Sequence, residues 1–283
     1  MAAVLGSTVL VVGFTAAGSV ARATHTARVG RGLAVPTQGI TAHGQLIHPF
    51  NTNQSSNWSG YNQGTIEQGG KLFHAISGYW TVPTATQHTA GQAEYSADWV
   101  GIGGGCVDAN CTVTDSTLIQ TGTEQDVSAK GKAAYSAWYE LIPAPSLTIT
   151  TIHPRPGNRM FASISTVASN ADVWTITIKD VTNGQSYTTT VPYSSSQDTA
   201  EWIEETPLII GTGGGFAALP NLTSPAFDRA TTNSAAANLK SSEEMQLVNS
   251  SGSVIADPSA PDPDSDGFNV CAWMTSCAAP TAS

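Results

Sequence analysis

Trp174-Thr-Ile-Thr-Ile178 and Tyr187-Thr-Thr-Thr-Val191 flank Asn183-Gly184, and the reading of this stretch decides the fold class. Bulky and polar residues alternate in both runs with the period of a strand that has one buried face. Asn-Gly between two such runs signals an antiparallel hairpin with a tight turn. The same character recurs along the chain. Leu72 to Val82, Tyr95 to Ile102, Ala133 to Ile142, Leu147 to Ile152 and Arg159 to Val167 are short, rich in Val, Ile, Thr and aromatics, and punctuated by Gly, Pro, Asn and Ser. Nothing reads as a helix of three turns; Ser234 to Lys240 is the one candidate for a short helix. The pattern predicts an all-β protein of two packed antiparallel sheets, a sandwich or jelly roll.

Bulk composition narrows the setting. At 283 residues the chain is long enough for one large sandwich domain. Charged residues make up 11% of it, against about 25% in an ordinary globular domain. Such a surface loses few ion pairs in acid, and 11 Lys and Arg limit the positive self-repulsion that unfolds proteins once their carboxylates are protonated. The composition suits an acidic, extracellular setting. A net charge of −10 without a basic patch repels phosphate and argues against nucleic acid.

Residues 1–23 open with the apolar run Ala2 to Ala21 and end in Ala21-Arg22-Ala23, a small-residue pattern that reads as a secretory signal with its cleavage site. Residues 24–50 change character: His25, Arg28, Arg31, His43 and His48 appear without a single Asp or Glu, so all 21 acids lie beyond residue 50. The segment is either a linker or a cationic pro-segment held over an acidic cleft, which would make the chain a zymogen. Residues 51–283 are then the folded, secreted domain.

Four cysteines in a secreted chain predict two disulfides, and the short spacings favour Cys106 with Cys111 and Cys271 with Cys277 among three connectivities. No His-Glu-x-x-His is present, and neither cysteine pair has a nearby histidine, so no metal site is expected. Asp262, Asp264, Asp266 and Gly267 imitate the start of a calcium loop, but Trp273 stands at its twelfth position, where the bidentate Glu belongs. There is no Gly-x-Ser-x-Gly. A histidine base would be protonated in acid, whereas Glu, with a reference pKa of about 4.3, can both take and return a proton near pH 4.

Thr199-Ala-Glu-Trp-Ile-Glu-Glu-Thr206 places a carboxylate inside an apolar, aromatic run of a charge-poor domain. Strand alternation puts Glu201 and Ile203 on one face, Trp202 and Glu204 on the other. Taken alone, Glu201 also fits a cross-strand pair or a rim charge. Its context is a series of blocks in order: Asn57-Trp-Ser-Gly60, Trp80-Thr-Val-Pro83, Trp99-Val-Gly-Ile102, Ile119-Gln-Thr-Gly122, Ala137-Trp-Tyr-Glu140 and Ala200-Glu-Trp-Ile203. From about Asn57 to Trp273 the chain resembles the glutamic peptidases, or eqolisins.

The resemblance implies a sandwich of two curved antiparallel sheets, of jelly-roll or concanavalin A-like kind, and a catalytic dyad at Gln120 and Glu201. Glu201 would activate water and Gln120 would stabilise the oxyanion, with no cofactor. Trp99, Trp138, Tyr139 and Glu140 are candidates to line the substrate groove, with core packing as the competing role of each. Glu204 and Glu205 are competing carboxylates ranked below Glu201. Relatives often carry Val at the position of Glu204 and Asp at that of Gly103, and Gly103 to Thr117 with its two cysteines reads as an insertion. The expected partner is a protein or peptide substrate met by a monomer, away from any membrane once the signal is gone. Two rivals are a carbohydrate-binding sandwich, which needs exposed aromatic platforms, and a glycoside hydrolase with Glu140 or Glu124 opposing Glu201.

Overall fold

The computed structural model describes residues 40–42, 45–168, 170–210 and 214–282. The expected signal and most of the 24–50 segment lie outside these residues. Two antiparallel sheets face each other. The first, here the site sheet, runs Trp58–Gly64, Thr199–Glu205, Glu94–Gly103, Leu118–Val127, Ala133–Leu141 and Leu147–Ile149. The second, the outer sheet, runs Gln185–Pro192, Asn170–Asp180, Arg159–Val167, Ala75–Thr81 and Ala226–Thr232. Glu244–Val248, Val254–Pro258 and Phe268–Ala272 pair in series from the edge of the first sheet to the edge of the second. That bridge joins the two sheets along one side into one continuous, nearly closed antiparallel sheet, whose end strands Leu147–Ile149 and Gln185–Pro192 are not paired with each other among the described residues.

The main core lies between the sheets. Tyr61, Val100, Ile102, Ile119, Ala200 and Trp202 of the site sheet meet Ile76, Trp80, Met160, Ile164, Trp174, Ile176 and Ile178 of the outer one, all buried. The outer sheet keeps its other face in water: Ala75–Thr81 and Gln185–Pro192 alternate strictly between more and less buried residues, as period-two patterning requires. The site sheet does not follow that rule. Trp58–Gly64 and Thr199–Glu205 are buried at every position, because a second apolar cluster covers their far face. It joins Trp58, Ala97, Trp99, Leu118, Trp138, Ile203 and Met245 to Ile47 of the leading segment.

Two local expectations are corrected. Asn170–Asp180 and Gln185–Pro192 do form a hairpin, with Asp180 paired to Gln185. Its loop, however, is the four residues 181–184, with only Gly184 left-handed, at φ +69°; a type I′ turn needs positive φ at both central residues. Ser234 to Lys240 is not helical. Asn233 and Ser234 take φ of 51° and 66°, turning the chain so that Ala235–Ala236 pairs back onto Thr231 and Thr232. Both expected disulfides, Cys106–Cys111 and Cys271–Cys277, are present.

Candidate active site

Directly paired residues in an antiparallel sheet point to the same face. Register therefore aligns Asn62, Glu201, Gly101, Gln120 and Glu140 in one row across five strands of the site sheet. This row lies on the far face, away from the main core. Neighbouring strands are about 4.8 Å apart, so the backbones of Glu201 and Gln120 stand about 10 Å apart. Gly101 stands between them with the side chains of Trp99 and Leu118 close above it: a Cβ there would come within 2.8 Å of the Trp99 ring, 3.1 Å of Leu118 Cδ1 and 3.3 Å of Gln120 Cβ, so the close packing at this point leaves no room for a side chain.

Glu201 has no solvent exposure, and neither carboxylate oxygen has a well-formed hydrogen-bond partner among the described residues. Burial drives its pKa well above the ordinary value; the Thr199 hydroxyl opposes the shift and the charge of Asp115 adds to it. A buried carboxyl left this poorly satisfied is costly, and such groups concentrate at functional sites. Gln120 is equally buried and donates from Nε2 to Glu140 Oε2 at 3.1 Å. Burial lifts Glu140 to about 9, helped by the charge of Glu205 and opposed by hydrogen bonds from Gln120 and the Ser146 backbone.

Two segments cover this row. The cystine loop crosses directly above Glu201: a Cβ on Gly105 would lie 1.7 Å from Asn62 Oδ1 and 2.6 Å from Glu201 Oε1. Only glycine fits so close an approach. Asn62 clamps the loop, with Oδ1 accepting from Cys106 N and Nδ2 donating to Cys106 O, both at 2.8 Å. The leading segment adds Ile47, whose N–H donates to Gly104 O at 2.9 Å, and Gln45, whose N–H donates to Glu205 Oε1 at 3.0 Å. Upstream, Ile40–Ala42 pairs antiparallel with Leu208–Ile210. Two surface cavities among the described residues, about 450 and 130 Å³ in volume, touch neither Gln120 nor Glu201. The row is closed to solvent.

Trp99, Trp138 and Glu140 lie on the face of the dyad. Trp99 and Trp138 occupy the next row, either side of Gly122, and Trp99 donates to Glu205 Oε2 at 2.8 Å while meeting Trp58 edge-on. Tyr139 is a correction. It pairs with Thr121 on the opposite face, packs against the main core and meets Tyr187, so it does not line the groove with the others. Glu204 also faces the sandwich interior, where Gln125 Nε2 donates to Asp98 Oδ2 at 3.0 Å and to Glu204 Oε2 at 3.4 Å. Burial raises both acids, Asp98 to about 7. The sequence reading missed Asn62, Gly101 and Gly105; period-two counting from Asn57-Trp-Ser-Gly60 reaches Asn62 on the face of Gly60.

Elsewhere, Asp262 and Asp266 of the calcium-like run join Asp228, their carboxylate oxygens within 4.8 Å of one another. Asp228 is ion-paired with Arg159, and Asp262 Oδ1 accepts from the backbone of Asp266 and Gly267. The carbohydrate reading loses its platforms: six of the seven tryptophans are at most 1% exposed, and Trp273 alone reaches 37%.

The profile of the Peptidase A4 family matches residues 56–267, while no curated protein sequence matches significantly. Among solved structures, scytalido-glutamic peptidase with a transition state analog inhibitor is 20% identical with a TM-score of 0.58, covering 77% of this chain and 98% of that one. SCP-B, an eqolisin in complex with the tripeptide Ala-Ile-His, is 19% identical with a TM-score of 0.56 over the same shares. The likeness to these structures shows a shared fold. With three quarters of its length matched by the family profile, the chain belongs to the Peptidase A4 family, the eqolisins or glutamic peptidases, and is a hydrolase of that type.

Proposed function

We propose that the chain is a secreted acid endopeptidase that cleaves protein or peptide substrates with Glu201 and Gln120, and acts as a monomer. The observation that carries this reading is a fully buried carboxyl without a well-formed hydrogen-bond partner, in register with a buried amide across a residue that has no side chain. As a carboxylate, Glu201 takes a proton from water while the water oxygen bonds to the peptide carbonyl carbon. The carbonyl oxygen becomes an oxyanion and receives an N–H of Gln120. Glu201 then hands its proton to the nitrogen as the C–N bond breaks, releasing an acid and an amine. An amide donor is neutral at every pH, so it survives acid.

In the closed form burial drives the pKa of Glu201 well up, which favours the neutral acid, and a neutral acid cannot serve as a base. Activity therefore requires the cover to leave, so that water hydrates the carboxyl and brings its pKa down. The leading segment is the part of that cover that processing can remove, and residues 24–50 are assigned as a pro-segment. Its contacts in the described part are apolar and backbone-polar, through Ile47 and Gln45, rather than the arginine–carboxylate pairs expected from composition; Arg28 and Arg31 lie outside the described residues.

The test is a digest of a protein substrate at about pH 4, near the reference pKa of Glu, with products identified by mass. Peptide-bond cleavage that survives chelators, thiol reagents, serine reagents and pepstatin supports the dyad. Loss in chelator with recovery on adding a metal overturns it. The full chain carrying Glu201→Gln should keep its leading segment in acid, while the unaltered chain sheds it.

A further inference from the structure

We propose that Glu140 is the positioning residue of the Gln120 amide: its Oε2 takes one N–H of Gln120 and so fixes which end of the amide faces the reacting carbonyl. This rests on Gln120 being the oxyanion donor. An amide side chain presents an acceptor and a donor of nearly equal shape, and rotation by half a turn about its last bond exchanges them at little steric cost. In one orientation Gln120 stabilises an oxyanion; in the other it opposes one. Something must break the tie.

The row supplies it. Gln120 is flanked in register by Gly101, which has no side chain, and by Glu140, whose carboxyl stands 3.1 Å from its nitrogen. An acceptor on that side draws the nitrogen toward it. Glu140 is itself held fast, 2% exposed and bonded by the backbone of Ser146, so it offers a fixed oxygen rather than a swinging one. It stands on the side of Gln120 away from Glu201, which suits a support better than a contact to the scissile bond. Burial raises the pKa of Glu140 to about 9 in the closed form, which favours the neutral acid, and a neutral acid can be imitated by an amide.

The test is a cycle of Gln120→Ala and Glu140→Leu, with Glu140→Gln as the conservative control, read as kcat and KM on one peptide at about pH 4, near the reference pKa of Glu. Leucine fills the space without an acceptor, and Glu140→Ala takes its place should that variant not fold. Misplacing an oxyanion donor without deleting it should lower kcat about tenfold to a hundredfold, with KM within about twofold. Glu140→Gln retains an oxygen acceptor and should stay within about threefold of the unaltered protein. In the Gln120→Ala background, Glu140→Leu should add less than about twofold, since it acts only through the missing amide. Three results overturn the inference: equal proportional losses in both backgrounds, a change confined to KM, or full activity in Glu140→Leu. Near-native activity in Gln120→Ala would instead strike at the dyad itself and take the inference with it.

Discussion

Glu201 and Glu204 stand three residues apart on one strand, both without exposure, and they illustrate two ways of burying an acid. Glu204 faces the space between the sheets and finds company: Gln125 donates to one oxygen of it and to one of Asp98, while Glu204 Oε1 and Asp98 Oδ1 lack a well-formed partner among the described residues and the charge of Asp98 helps burial raise Glu204. Such a pair shares a proton, because two like charges in contact cannot both ionise in a dry interior. Glu201 faces outward, into a row that holds Asn62, Gly101 and Gln120, and its oxygens are left without well-formed partners. The first arrangement is stable as it stands. The second is covered by two separate segments of the chain, and the proposed reading gives its oxygens a water and a substrate as partners.

The sharpest break of that comparison is to neutralise each acid in turn. Glu201→Gln should cost at least about a thousandfold in turnover, while its melting temperature near pH 7 holds or rises, since a buried group that resists ionisation has been removed. Glu204→Gln should keep turnover within about threefold. Equal losses in the two variants would mean that burial, not position in the row, decides the phenotype.

Stability against pH is the next largest effect. Asp98 is raised to about 7, so its folded-state pKa exceeds the unfolded value of about 3.9. For an acid raised in this way, stability is full below the unfolded pKa and is lost as pH climbs toward the folded one, at about 1.4 kcal/mol for each pH unit that separates the two. Glu244, also raised to about 7, Asp126, to about 8, and Glu140 act in the same direction. The protein should therefore melt several degrees higher at pH 4 than at pH 7, and Asp98→Asn combined with Glu204→Gln should flatten the slope. A melting temperature that increases from pH 4 to pH 7 would contradict the buried-acid assignment.

Smaller effects test the cover. Gly105→Ala sets a Cβ against Asn62 and Glu201, and overpacking of this kind costs about 1 to 3 kcal/mol, measurable as a lower melting temperature. Tyr139→Phe should change kcat/KM by less than about twofold, because the ring points into the sandwich; a larger loss would return Tyr139 to the groove.

Strand alternation separates Glu201 from Glu204, and the register keeps them on opposite faces; the ordered blocks point to Gln120, which the register sets in the row of Glu201. The same alternation, applied to Ala137-Trp-Tyr-Glu140, separates Tyr139 from Trp138 and Glu140, since neighbours on a strand cannot share a face. Grouping all three by residue type overlooked that. The cover was not legible in advance. Ile47 meets Gly104, and Gly105 meets Glu201, across separations of dozens of residues that no periodicity records. Nor could composition reveal that the site sheet is dry on both faces around Glu201, because its outer face there is covered by the cystine loop and by the irregular leading segment at Gln45 and Ile47.

The central claim is that Gln120 and Glu201 serve one transition state. Its most direct measurement is peptide cleavage at about pH 4, near the Glu reference pKa, by Gln120→Ala, Glu201→Gln and the double variant, with thermal unfolding of the same samples. Groups that act as a unit are strongly non-additive, so the double variant should be little worse than the poorer single one while all three remain folded. Losses that multiply, or near-native turnover in either single variant with only its melting temperature lowered, would contradict the dyad and make Glu205, on the same face, the next carboxylate to test.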